Sequence, residues 1–239
     1  MVVEQNYPKV LVGCPTSFYK GYCLDKYAVA VKSLDYPNFD ILLVDNSNDG
    51  GVYMQKIKEL GLPVIEGPWF ESARDRIVAC RNLLAKKAIE GGYDYLFSLE
   101  QDVLPPQYAL KKLVDADKKV ISAVYFARNL MTDGQVRLIP LVYKLVDKNN
   151  LDMVPLGDEE LWDNPKVMKV VSAGLGCVLL HKDILKKVKF RYEKDSEVFD
   201  DRWFFIDLHK LGVEVFADTK IRCKHIIFNR PYQWKDIKK

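Results

Sequence analysis

Two carboxylates separated by a single residue, Glu100 and Asp102, follow an apolar run that is short enough to form one buried strand. Pro105 and Pro106 come next and prevent the strand from continuing, so the acids are expected at its carboxyl end. Ligands of open α/β sheets bind at that edge. The two acids could therefore hold a divalent cation with hard oxygen ligands, or they could form an acidic turn that faces water.

A second pair of acids, Asp200 and Asp201, opens a predicted amphipathic helix that ends at Gly212. An acid at this position is an ordinary helix cap, and the helix dipole there lowers the pKa of a carboxyl group. Asp200 is the residue expected to cap the helix, which leaves Asp201 available to a substrate.

The length and composition of the chain predict a single hydrophobic core and give no sign of a nucleic-acid partner. The 239 residues include 36 Lys and Arg against 33 Asp and Glu, a net charge of +3 that is too balanced to indicate a nucleic-acid partner, and we expect none. Five cysteines without a C-x-x-C pair favour a reducing, cytoplasmic environment over a disulfide framework or a structural zinc site. We expect no leader or membrane span, although basic runs leave a peripheral membrane contact open.

The first half of the chain alternates regularly between strand and helix patterns, which predicts an open, mostly parallel sheet with helices on both faces. Strands are predicted over residues 9–13, 39–45, 63–65 and 119–126, and helices over 24–34, 52–60, 71–89 and 107–116. The apolar run before Glu100 is a further strand of the same alternating series.

The pattern changes after residue 126. Residues 136–143 follow an Asp-Gly turn signal and predict half of an antiparallel hairpin, and residues 147–165 predict a variable loop. Further strands are expected at 167–171, 178–180 and 213–217, with a helix at 182–187. We interpret residues 1–239 as a single domain with a nucleotide-sugar-binding half (about 8–126), an acceptor-side half (about 127–226) and a tail (227–239), in which Trp234 could close over the site.

Four local patterns occur in the order found in GT-A glycosyltransferases, and the chain from Val10 to His225 resembles the family-2-like, inverting group of these enzymes. The patterns are Val44-Asp45-Asn46-Ser47, Ala79-Cys80-Arg81-Asn82, Glu100-Gln101-Asp102 in place of D-x-D, and Phe199-Asp200-Asp201 continuing through Gly212 to His225. The resemblance implies a Rossmann-like α/β fold of the GT-A type with a small antiparallel portion on the acceptor side.

The resemblance also implies a metal site. Asp102, Glu100 and His225 would hold Mn²⁺ or Mg²⁺, and an imidazole among the ligands suits Mn²⁺ better. Glu100 departs from the family's aspartate and adds one methylene, which makes Asp102 the stronger ligand prediction. His225 could instead close a strand and bond only to backbone.

By the same resemblance, several residues would contact the nucleotide sugar. Asp45 would accept hydrogen bonds from the ribose or base, although an Asx turn explains it equally well. Arg74 and Arg81 share one face of their helix and could meet phosphate or form ion pairs. The full predicted set is Pro15, Thr16, Asp45, Arg74, Arg81, Glu100, Gly174 and Gly176.

The function implied is sugar transfer from a nucleotide-diphosphate sugar to a hydroxyl of a glycan, lipid or protein, with inversion. Asp201, with Asp200 beside it, would be the general base that takes the hydroxyl proton. Three alternatives stay open. A sugar-phosphate nucleotidyltransferase shares the sheet plan but usually has a glycine-rich phosphate loop, which residues 13–17 lack. The others are a retaining transferase and a catalytically silent nucleotide- or glycan-binding module.

Overall fold

The computed structural model describes residues 7–131, 133–147, 152–196 and 198–227. The predicted tail from residue 228 onward, including Trp234, lies outside the described residues. The strands are β1 Val10–Thr16, β2 Phe39–Asp45, β3 Val64–Glu66, β4 Tyr95–Leu99, β5 Val103–Leu104, β6 Val120–Val124, β7 Phe126–Leu130, β8 Val136–Pro140, β9 Val142–Asp147, β10 Asp152–Pro155, β11 Val167–Val170, β12 Ser172–Ala173, β13 Cys177–His181, β14 Val215–Arg222 and β15 Lys224–His225. The helices are α1 Leu24–Lys32, α2 Val52–Glu59, α3 Ala73–Glu90, α4 Ala109–Asp115, α5 Lys182–Leu185 and α6 Asp200–Lys210, with a 3-10 helix at Phe18–Cys23 and a π-helical turn at Glu159–Asp163.

The main sheet has eight strands in the order β11-β14-β6-β13-β4-β1-β2-β3. The strands β3, β2, β1 and β4 run parallel, as do β6 and β14, while β13 and β11 run antiparallel to their neighbours. The sheet is therefore mostly parallel, as predicted. Because β13, β14 and β11 come from the later part of the chain, both proposed halves contribute to this sheet; the division near residue 126 stays a prediction.

Both faces of the sheet are covered by helices, and β4 shows why. The sheet has one apolar cluster on each face. Phe97 packs into the first cluster and the preceding residue, Leu96, packs into the second, and both side chains are almost fully buried. Alternate residues of a strand face opposite sides of the sheet, so a strand buried on both faces reads as a continuous apolar run. The helices α1, α2 and α4 pack on the first face, and α3, α5 and α6 pack on the second.

Among the described residues, three small antiparallel sheets lie outside the main sheet. The hairpin β7–β8 confirms the predicted turn at Asp133-Gly134, but the predicted strand 136–143 is divided between β8 and β9. The prediction of a variable loop over 147–165 is wrong in part, since β10 pairs with β9 and a π-helical turn follows. β12 pairs with the same strand β9, and the third small sheet joins β15 to β5.

The 18-residue helix α3 lies against β1, β2 and β4 and carries the arginines of interest. Ser72 caps it by accepting a hydrogen bond from the Asp75 amide at 3.4 Å, and Gly91 follows its last residue. Within the described ranges, no helix combines the length and apolarity needed to cross a bilayer.

Candidate active site

The carboxyl ends of the parallel strands bring most of the predicted residues to one edge of the sheet. β1 and β2 end side by side, with Thr16 paired to Asp45. β1 is longer than predicted, because Pro15 and Thr16, which the sequence placed in a loop, continue the pairing with β2. β4 ends at Leu99, immediately before Glu100.

Asp102 and His225 meet at this edge although 123 positions separate them in the sequence numbering. The pairing of β15 with β5 places His225 opposite Val103, and the Ile226 amide donates to the Asp102 carbonyl at 2.7 Å. His225 Nε2 lies 3.4 Å from Asp102 Oδ2. His225 Nδ1 lies 2.7 Å from the Phe126 carbonyl, which orients the ring so that Nε2 faces the carboxylate.

Lys20 is a member of this site that the sequence reasoning missed. Its ammonium forms an ion pair with Asp102 Oδ2, the same oxygen that His225 faces. The Tyr22 hydroxyl lies 3.4 Å from that oxygen as well. Both residues belong to the 3-10 helix that follows β1. A single lysine in this short segment carries no distinguishing sequence spacing, so its place beside Asp102 emerges only in three dimensions.

Gln101, between the two acids, is fully buried and ties the end of β4 to the loop after β1. Its Oε1 accepts hydrogen bonds from the hydroxyls of Thr16 and Tyr53, the second at 2.9 Å. Its Nε2 donates to the Lys20 carbonyl at 2.6 Å. Thr16, predicted to flank the nucleotide base, is therefore bonded to Gln101. An amide suits this position because it accepts and donates at once.

Arg81 links the acids after β4 to the acids of α6. Its guanidinium bonds Glu100 Oε1 at 2.5 Å and lies 2.9 Å from Asp200 Oδ2. It also donates to Ser98 Oγ at 2.9 Å. Burial acts to lower the pKa of Arg81, but Asp200 and Glu100 together raise it above its ordinary value. Arg81 is therefore a fixed cation that holds the two acidic segments together.

Asp200 and Asp201 occupy the first two positions of α6, and they differ in environment. The residue that caps the helix is Phe199, so the expectation that Asp200 is the cap is wrong. Asp200 is buried and bound by Arg81. Asp201 is half-buried, and burial together with the neighbouring Asp200 raises its pKa to about 6. The amide of Arg202, at the N-terminus of the helix, donates to Asp201 Oδ1 at 2.7 Å and lowers the pKa of Asp201. Burial raises that pKa by more than this hydrogen bond lowers it.

The two arginines predicted to point the same way from α3 have different partners. Arg74 donates to the Ser196 carbonyl and lies over the ring of Tyr192, 4.5 Å from its centroid. Asn82 exchanges hydrogen bonds with the backbone of Phe190 at 2.8 and 3.0 Å. These contacts of α3 hold the segment that leads into α6, so they help to position Asp200 and Asp201.

Asp45 is buried at the end of β2, and its Oδ1 accepts hydrogen bonds from the Ser47 amide at 3.0 Å and the Ser47 hydroxyl at 2.6 Å. This is the Asx turn that sequence reasoning gave as the alternative to a ribose contact. Burial raises the pKa of Asp45, while the bonds from Ser47 oppose that shift.

Gly174 and Gly176 have a packing reason in the structure. A Cβ at Gly174 would lie 2.1 Å from the Tyr125 hydroxyl oxygen, and one at Gly176 would lie 2.7 Å from it. The Gly176 amide donates to that hydroxyl at 2.9 Å. The Tyr125 ring in turn meets the His225 ring edge-on, with centroids 5.4 Å apart. The two glycines thus make room for a tyrosine that supports His225.

We predict that Gly174→Ala destabilises the protein by about 2 kcal/mol or more, because the added methyl overlaps the Tyr125 hydroxyl in a closely packed site. Urea unfolding measures the change. Tyr125→Phe in the same chain should recover part of the loss, because it removes the nearest atom. Gly157→Ala is the control, since its Cβ meets Glu160 at an ordinary 3.6 Å. Equal stability of Gly174→Ala and Gly157→Ala would contradict the packing account.

Among the described residues, the donors at this edge fit a divalent cation with two protein ligands. Asp102 offers a hard oxygen and His225 an imidazole nitrogen, a combination compatible with Mn²⁺. Glu100, the third predicted ligand, has Oε1 bonded to Arg81. Among residues the structure describes, no group of three or more His, Cys, Asp or Glu side chains is arranged to hold a metal ion. Phosphate oxygens and waters would complete the coordination.

The mostly parallel eight-stranded sheet with helices on both faces defines an α/β protein of the GT-A, Rossmann-like class, and this confirms the predicted fold class. One similar solved structure is that of GalNAc-T7 with UDP, GalNAc and Mn²⁺: TM-score 0.67, 12% identity, 96% of this chain and 46% of that chain covered. Another is the crystal structure of A197 from STIV: TM-score 0.50, 13% identity, coverage 93% and 87%. No family model and no curated protein sequence matches the chain.

Proposed function

We propose that this protein is a glycosyltransferase that moves a sugar from a nucleotide-diphosphate sugar to a hydroxyl acceptor with the help of a divalent cation. The observation that carries the proposal is the convergence of two acidic segments at one sheet edge. Asp102 faces His225 on one side, and Asp201 opens α6 on the other, with Glu100, Arg81 and Asp200 bonded in a row between them. The similar fold of GalNAc-T7, whose structure contains UDP, GalNAc and Mn²⁺, supports this choice of donor and metal.

Asp102 and His225 would hold the cation, which when bound would neutralise the charge that develops on the departing diphosphate. The Phe126 carbonyl keeps His225 Nδ1 occupied, so Nε2 is the nitrogen available to a metal. We propose that Asp45 at the end of β2, and Pro15 and Thr16 at the end of β1, border the nucleotide, in agreement with the place of these strand ends at one edge of the sheet.

Asp201 would act as the general base. Its carboxylate takes the proton of the acceptor hydroxyl while the hydroxyl oxygen forms a bond to the anomeric carbon. The bond from that carbon to the phosphate oxygen breaks, and its electron pair leaves with the nucleoside diphosphate. A pKa near 6 suits a group that must be ionised at neutral pH yet accept a proton in the reaction. Attack opposite the leaving group inverts the anomeric configuration, which NMR of the product measures.

We predict that Asp102→Asn lowers sugar transfer by about 100-fold or more and abolishes its dependence on Mn²⁺, because an amide is a much poorer cation ligand than a carboxylate. Turnover of a panel of nucleotide sugars, with and without Mn²⁺, checks this. Asp115→Asn, at an exposed ion pair with Lys111 on α4, is the control and should leave both unchanged.

Other outcomes of the same assays would identify the alternatives. If Asp102→Asn keeps both turnover and metal dependence, the proposed site is wrong. Release of pyrophosphate from a nucleoside triphosphate and a sugar phosphate would indicate a nucleotidyltransferase. A thermal shift with a nucleotide, but no transfer to any acceptor, would indicate a silent binding module.

A further inference from the structure

The ammonium of Lys20 occupies the place at Asp102 where a divalent cation would bind. Asp102 Oδ2 is shared by Lys20, by His225 Nε2 at 3.4 Å and by the Tyr22 hydroxyl at 3.4 Å. The Asp102 side chain has no exposed surface and that of Lys20 is 18% exposed. A buried carboxylate requires a compensating positive charge, and here the chain itself supplies it.

The backbone of Lys20 is held from several sides, so its position does not depend on the ion pair alone. Its carbonyl accepts hydrogen bonds from Gln101 Nε2 at 2.6 Å and from the Cys23 thiol at 3.1 Å. Its amide donates to the Ser17 carbonyl at 2.8 Å. The residue between the two acids therefore anchors the lysine that neutralises one of them.

A metal ion and an ammonium cannot share this oxygen without strong repulsion, because two cations a few ångströms apart in a poorly solvated site raise each other's energy. The lysine stem is flexible, however, and its head can move while its backbone stays anchored. A displaced ammonium would still lie beside the edge at which the donor's phosphates are proposed to bind.

We propose that Lys20 is a tethered cation that stands in for the metal at Asp102 and His225, so that a divalent ion binds only by displacing it. The inference rests on the proposed cation site. Removal of a residue that helps to hold the metal ion would weaken metal binding. Removal of the Lys20 charge should instead tighten metal binding.

The experiment measures Mn²⁺ binding to the whole chain, without donor or acceptor, from the EPR signal of free Mn²⁺. We expect Lys20→Met to bind Mn²⁺ at least about tenfold more tightly than the unmodified protein, since the variant removes the ammonium that competes with the metal ion for Asp102 Oδ2. Lys20→Arg retains the charge and should not tighten binding. Lys26→Met, which removes an exposed lysine of α1, is the matched control and should bind as the unmodified protein does.

Stability provides a second readout if Lys20→Met proves fragile. Mn²⁺ should raise the melting temperature of Lys20→Met more than that of the unmodified protein, because at a given ligand concentration the stabilisation grows with the logarithm of the affinity. Equal or weaker Mn²⁺ binding by Lys20→Met would overturn the inference. Neither readout needs sugar transfer, so tight binding by Lys20→Met with no turnover on any donor would leave the inference standing while the proposed function fails.

Discussion

Replacement of Arg81 by methionine is expected to lower the free energy of unfolding by about 3–5 kcal/mol at neutral pH, the cost of removing one partner from a buried ion pair. Methionine keeps much of the length of the side chain but supplies none of its donors. Asp200 Oδ2 loses its cation at 2.9 Å, and Ser98 Oγ and Glu100 Oε1 lose their donors. Urea unfolding with a constant slope would measure the loss.

The same variant should respond to pH in a defined direction. Burial already raises the pKa of Asp200, and the opposing effect of Arg81 would be gone. The folded protein would then bind a proton at Asp200 more readily, so the loss of stability caused by Arg81→Met should shrink as the pH falls and the carboxyl becomes neutral. The second variant Asp200→Asn, combined with Arg81→Met, should recover part of the stability at neutral pH.

Arg137→Met is the matched control for Arg81→Met. Arg137 pairs with Asp133 on the surface, where its side chain is 53% exposed, and such pairs contribute at most about 1 kcal/mol. If the two arginine variants lose the same small amount of stability, Arg81 is not the link between the acidic segments that its contacts indicate.

The strands of the main sheet could be predicted where local pattern and burial agree. β2 occupies residues 39–45 as predicted, because its apolar run ends in Leu43 and Val44, which are buried against opposite faces of the sheet. β1 extends three residues beyond its predicted end, since Pro15 and Thr16 resemble turn residues locally but pair with β2 in the sheet. β10 was missed because its pairing with β9 gives it a strand conformation that its own residues do not indicate.

In the candidate site, too, some contacts could be expected from the sequence and others could not. The placement of Asp102 beside His225 follows from the pairing of β15 with β5, which no local pattern encodes; the family resemblance supplied it as an expectation. Lys20 and Gln101 could not have been found, because their importance lies in contacts between the loop after β1 and the end of β4. The contact of Arg81 with Asp200 is likewise a product of how α3 and α6 pack.

Conversion of Asp201 to asparagine is expected to lower turnover by about 10²–10⁴-fold while donor binding, measured by thermal shift, stays close to that of the unmodified protein, because a general base acts only in the chemical step. Asparagine keeps the oxygen that accepts from the Arg202 amide, so the start of α6 is preserved. The unmodified protein should lose kcat/KM as the pH falls through about 6, where Asp201 takes up a proton.

The same substitution should also stabilise the protein, in a pH range set by the shift. A carboxyl whose pKa rises from 3.8 to about 6 on folding is penalised when ionised, so the folded state loses stability as the pH rises through that interval. Asp201→Asn removes the penalty and should gain roughly 1–3 kcal/mol at pH 7.5, with little change near pH 3.5. If Asp201 stabilised the fold, Asp201→Asn would instead lower the free energy of unfolding at pH 7.5. Asp195→Asn, which changes an exposed aspartate, serves as the control. Full activity of Asp201→Asn would show that Asp201 is not the general base. The same conclusion would follow if the kcat/KM of the unmodified protein did not change as the pH fell to 4.5.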